Sequence, residues 1–227
     1  MRRVLRLRFA LLIAVAMAVA LVMPAATRAV SCSFDALCNP TAVLSLDTNI
    51  SGLQQKAVVV PDWLKPKKKV TYSVETRGLI TADLAEFKQQ ANATLNDARG
   101  WSQLDATYTE VSSGGSFTLV LAEASSVPVF SPTGCSSTYS CSVGRYVIIN
   151  QDRWLGATPA WNGGGGTLRD YRHMVINHET GHWLGHGHQS CGGAGQLAPV
   201  MQQQSIDLQG CTFNPWPLPS ELWSSRI

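Results

Sequence analysis

Five fixed positions within eleven residues, His178, Glu179, His182, Gly185 and His188, limit how this chain can fold more than any other feature. They lie in "NHETGHWLGHGH", Asn177 to His188, which holds four of the chain's five histidines. On a helix, His178 and His182 rise one turn apart on the same face. A helix continued past them would carry His188 roughly 9 Å further along the axis and round to another side. Gly185 removes that difficulty, because glycine adopts the left-handed conformation that ends a helix and turns the chain back. The sequence therefore demands a helix that stops at residue 184 or 185 and a loop that folds His188 back towards the other two imidazoles.

Three imidazoles so gathered suit one zinc ion, with water in the fourth position. Glu179 follows the first ligand and points partly off the ligand face, where its carboxylate can take a proton from that water. In this His-Glu-x-x-His arrangement the metal acidifies water and polarises a carbonyl while the glutamate relays the proton. A closed structural zinc site would need His186 or a distant fourth ligand. His186 lies beyond the helix stop and is assigned to a place behind the ligands, in the cleft or at the surface. Met201, thirteen residues after His188, is read as an apolar support beneath the imidazoles, since a fourth strong ligand would close the open position.

The chain opens "MRRVLRLRF" and runs into "ALLIAVAMAVALVM", a basic start and an apolar stretch that read as a secretory signal over residues 1–29. An uncleaved signal anchor and a lipid-anchored Cys32 are the alternatives. Removing the signal's five arginines turns the formal net charge from +3 to −2, which takes away the electrostatic motive for a nucleic-acid partner. All six cysteines, Cys32, Cys38, Cys135, Cys141, Cys191 and Cys211, lie beyond the signal. In an exported chain they read as disulfides. Neighbouring pairs are favoured by closeness in the chain, although sequence does not choose among the connectivities. Residues 30–66 read as an N-terminal arm, and 67–227 as one disulfide-stapled domain.

Along that domain, "KVTYSVET" alternates like a half-buried strand. Thr81 is a possible cap for a helix running through Leu84, Phe87, Ala91 and Leu95 towards Gly100. "DATYTEV" and "SFTLVLAEA", separated by Ser-Ser-Gly-Gly, suggest a hairpin. Residues 125–142 read as a disulfide-pinned loop, "VGRYVIINQ" as the most β-prone run, and "DRWLGATPAWNGGGG" as irregular. Thr167 to Leu184 gives the long helix that carries the histidines. A strand, a helix, two or three strands and a long helix make an α+β domain.

His178, Glu179, His182, Gly185, His188 and Met201 together resemble the metzincin clan of zinc metallopeptidases. "YRHMVINHETGHWLGHGHQSC", "APVMQQQS" and "GCTFNPWPLP" are similar to a family of secreted actinobacterial proteins catalogued as a domain of unknown function. The resemblance implies a metzincin-like zincin domain: a twisted mixed β-sheet, a backing helix and an active-site helix, with one catalytic zinc. It implies an endopeptidase in which zinc-activated water attacks the scissile carbonyl and Glu179 is the general base. An extended substrate would align along an edge strand, with "RYVIINQ" as that strand or its neighbour. The expected partner is a peptide or protein substrate, with no nucleic acid, no stable membrane span in the mature chain, a monomeric state and an exported location, at the cell envelope or beyond it. No tyrosine follows Met201 closely, so the tyrosine ligand of some branches is missing. A catalytically weak zinc- or peptide-binding protein and a zinc hydrolase of a non-peptide amide, such as a cell-wall component, are the alternative functions.

Overall fold

The computed structural model describes residues 67–227. The proposed signal, the arm and the Cys32–Cys38 pair lie outside the described residues. The first strand, β1 (Lys68–Arg77), is the long alternating run expected from sequence, and its Val70 and Tyr72 are buried. Helix α1 (Leu84–Leu95) follows. Its cap is Asp83 rather than Thr81: Asp83 Oδ1 accepts from the amides of Ala85 and Glu86 at 2.8 and 3.0 Å, satisfying two otherwise unpaired donors. The helix ends at Leu95 and Asn96, short of Gly100.

Strands β2 (Ala106–Glu110) and β3 (Phe117–Ala122) do not form the expected hairpin. Each pairs in parallel with β1, on opposite sides of it, so that β1 separates them. The Ser-Ser-Gly-Gly turn is local information only. Tyr72 aligns with both Glu110 and Phe117, so the turn carries the chain across β1 rather than back along β2. Strands β4 (Cys141–Val143) and β5 (Tyr146–Asn150) complete a sheet of order β2-β1-β3-β5-β4, parallel except for β4. "RYVIINQ" is thus an inner strand, and its neighbour β4 is the edge.

Every residue of β3 is buried, as expected for a parallel strand covered on both faces. The two-residue period splits its side chains between two cores. Phe117, Leu119 and Leu121 join the large core beneath α1 and the long helix, while Val120 and Ala122 pack on the other face with Val127 and Ile148. Fully burying one such side chain contributes about 1.5–3 kcal/mol.

The stretch expected to be irregular contains two short helices, α2 (Gln151–Gly156) and α3 (Pro159–Gly163). Helices this short span less than two turns and show no periodicity. Trp154 and Trp161 anchor them in the core. Helix α4 (Leu168–Leu184) starts one residue later than expected, because Thr167 is its cap, with Thr167 Oγ1 accepting from the Asp170 amide at 3.1 Å. The domain is α+β. No helix among the described residues is long and apolar enough to cross a membrane.

Candidate metal centre

Helix α4 ends in the two paired bonds of a Schellman motif: the Gly185 amide donates to the His182 carbonyl and the His186 amide to the Gly181 carbonyl. Gly185 has φ 112°, a backbone angle open to glycine and strained for other residues. The chain reverses there, and the ligand atoms of His178, His182 and His188 all lie within 4.8 Å of one another.

The outer ring nitrogens fix where the inner ones face. His178 Nδ1 donates to the Val200 carbonyl at 2.8 Å, and His182 Nδ1 to the His186 carbonyl at 2.9 Å. With those protons on Nδ1, both Nε2 atoms present lone pairs to the interior of the cluster. His182 Nε2 and His188 Nε2 stand 3.1 Å apart, near the ~3.4 Å expected of two nitrogens on one tetrahedral zinc. Burial, with His182 as a nearby like charge, lowers the pKa of His178 to about 3. The ring stays neutral, as a ligand must. Three neutral imidazoles with convergent lone pairs fit a divalent zinc ion.

Glu179 is 5% exposed, and its Oε2 has no hydrogen-bond partner. Burial raises its pKa to about 8, so this carboxyl can both take up and release a proton near neutrality. It lines a cleft of about 670 Å³ together with the three histidines. The cleft's other walls are the segment Pro132–Ser142, including Tyr139, the Met174 and Val175 turn of α4, and residues 203–206. Sequence had marked residues 125–142 only as a pinned loop. The Cys135–Cys141 bridge holds that wall to the start of the edge strand, and Cys191–Cys211 closes the segment that carries Met201.

Met201 is fully buried against the underside of α4 at Gly181. A side chain at Gly181 would collide with Met201 Sδ and stand 3.0 Å from Trp101 Cζ2. His186 is turned away from the cluster. The residue is 4% exposed, and its ring stacks on Trp101 at 5.0 Å and bonds the Trp223 carbonyl through Nε2 at 2.9 Å. Tyr171, upstream on the helix, bonds Ser205 at 3.0 Å. The residue that sequence reading missed is Glu221, whose buried carboxylate grips the backbone at Val200 and Met201. In sequence it is a lone acid in "PSELW", with no local pattern to mark it.

Fold and site together define an α+β domain with a three-histidine centre in a cleft at the end of its longest helix. The chain belongs to the family described as "Protein of unknown function (DUF3152)", whose sequence profile matches residues 54–214. Among solved structures it is similar to archaemetzincin from Methanopyrus kandleri, with 13% identity over 72% of this chain and 95% of that one, at a TM-score of 0.37. No curated protein matches the chain by sequence.

Proposed function

We propose that the protein is an exported, metzincin-like zinc endopeptidase, with Glu179 as the general base. The observation that carries this reading is the pairing of three inward-facing imidazole nitrogens with a buried, partnerless carboxylate oxygen in one open cleft. A purely structural centre has no use for that carboxylate.

His178, His182 and His188 would hold the ion. When bound, zinc supplies Lewis acidity towards a carbonyl and makes water a nucleophile near neutral pH. Glu179 accepts the proton of the attacking water and returns it to the leaving amine. An extended peptide lies against β4, whose Cys141 and Ser142 line the cleft and whose outer edge has no strand partner among the described residues. Backbone hydrogen bonds along that edge would orient the peptide for cleavage. The two disulfides support an extracellular setting.

The test is Glu179→Gln. The variant is expected to retain about one zinc per chain by elemental analysis and to lose hydrolysis of an unstructured protein substrate by about 10²–10⁴-fold. Wild-type rates in the zinc-loaded variant would refute the proton relay.

A further inference from the structure

Glu221 is a buried acidic side chain that does not line the cleft. It is 0% exposed and belongs to a short 3₁₀ turn, Pro219–Glu221, some thirty residues beyond the last histidine. No salt bridge reaches it among the described residues. Its two oxygens instead accept three backbone N–H bonds. Oε1 accepts from Met201 at 2.9 Å, and Oε2 accepts from Val200 at 3.0 Å and Leu218 at 2.7 Å. Burying a carboxylate is costly unless its oxygens are satisfied, so this placement holds only while the backbone keeps those amides convergent.

The Met201 amide and the Val200 carbonyl are the two ends of a single peptide group. One end donates to Glu221, and the other accepts from His178 Nδ1 at 2.8 Å. A carboxylate on the N–H end polarises the peptide and makes its oxygen a stronger acceptor, because hydrogen bonds in series reinforce one another. A stronger acceptor at Nδ1 raises the basicity of Nε2, the atom turned towards the other histidines. The same grip fixes the Met201 segment that lies under Gly181.

We propose that Glu221 is a positioning residue for the metal centre, acting on His178 through the peptide between Val200 and Met201. It sets the ring's orientation and ligand strength. This rests on the zinc reading above. The adjoining residues act in the same direction on the second ligand. The Trp223 carbonyl receives His186 Nε2, and the Ser225 amide donates to the Leu184 carbonyl at 3.1 Å, bracing the loop whose His186 carbonyl holds His182.

The experiment measures the zinc dissociation constant of the full chain by chelator competition, for the wild type, Glu221→Gln, Glu221→Asp and Val120→Ala. Val120 is buried on the opposite face of the sheet, so its truncation lowers stability without touching the centre. Glu221→Gln is expected to weaken zinc binding about tenfold, the lower end of the range for groups that orient a ligand. Glu221→Asp should fall between it and the wild type, and Val120→Ala should bind as the wild type does. A Glu221→Gln change under about threefold overturns the proposal. So does an equal loss in Val120→Ala, which would reduce Glu221 to a general contribution to stability. If Glu221→Gln does not fold, Glu221→Asp decides: a wild-type constant for it overturns the proposal. A wild-type chain that binds no zinc overturns the zinc reading as well, whereas tight wild-type binding with no response to Glu221 overturns only this inference.

Discussion

Gly181 sits mid-helix, where alanine would ordinarily be preferred by about 1 kcal/mol. Here a Cβ would meet Met201 Sδ far inside contact distance, with Met201 Cε at 3.3 Å and Trp101 Cζ2 at 3.0 Å. Both neighbours are fully buried, so the flexible Met201 side chain can yield only by displacing other atoms of the close-packed core. Overpacking of this kind costs about 1–3 kcal/mol, so Gly181→Ala should destabilise the domain by about 1 kcal/mol net. Truncating Met201 to alanine removes the obstruction, and only Trp101 must then shift, by a few tenths of an ångström. In the Met201→Ala background the same Gly181→Ala change should therefore be neutral or stabilise by up to about 1 kcal/mol, a reversal of sign. Urea unfolding of all four proteins in the presence of a chelator gives the cycle without a contribution from metal binding. A coupling of about 1–2 kcal/mol is expected. If Gly181→Ala stabilises the wild-type background, or if the two single effects simply add, the packing of Met201 under α4 does not constrain the helix as described.

Zinc affinity should fall much further in His188→Ala than in His186→Ala, because the His188 ring faces the cluster and the His186 ring faces Trp101 and Trp223; chelator competition on both variants would show the reverse order if the third ligand is misassigned. Replacing Cys191 and Cys211 by serine opens a loop with a sequence separation of 20 and should cost about 3 kcal/mol in denaturant unfolding. A loss below about 1 kcal/mol would mean that the segment carrying Met201 is held by its hydrogen bonds rather than by the bridge.

The histidine centre was legible in sequence because its parts are local. The run from Thr167 to Leu184 reads as a helix, the spacing of four aligns two rings on one face, and Gly185 announces the reversal that brings in His188. The α+β class was legible for the same reason, since β1, α1 and α4 each carry their own periodicity. What failed was pairing at a distance. The glycine turn between β2 and β3 resembles a hairpin signal, yet β1 takes both as parallel partners and buries β3 on two faces. Helices α2 and α3 were missed because a turn or two cannot display a period. Glu221 was invisible because its importance lies in three amides, two of them about twenty residues away, and neither its type nor its neighbours encode them.

The position of β1 also sets an order of events in time. Its two edges wait for strands completed at residues 110 and 122, so the sheet cannot close until the chain has been delivered at least that far. The histidines arrive later, at 178 to 188, and the carbonyl and carboxylate that hold the first of them later still, at 200 and 221. On the zinc reading proposed above, the ligands and the groups that brace them are all present only once the chain extends to residue 221. A chain crossing a membrane unfolded would acquire its metal on the far side, from whatever supply that compartment offers.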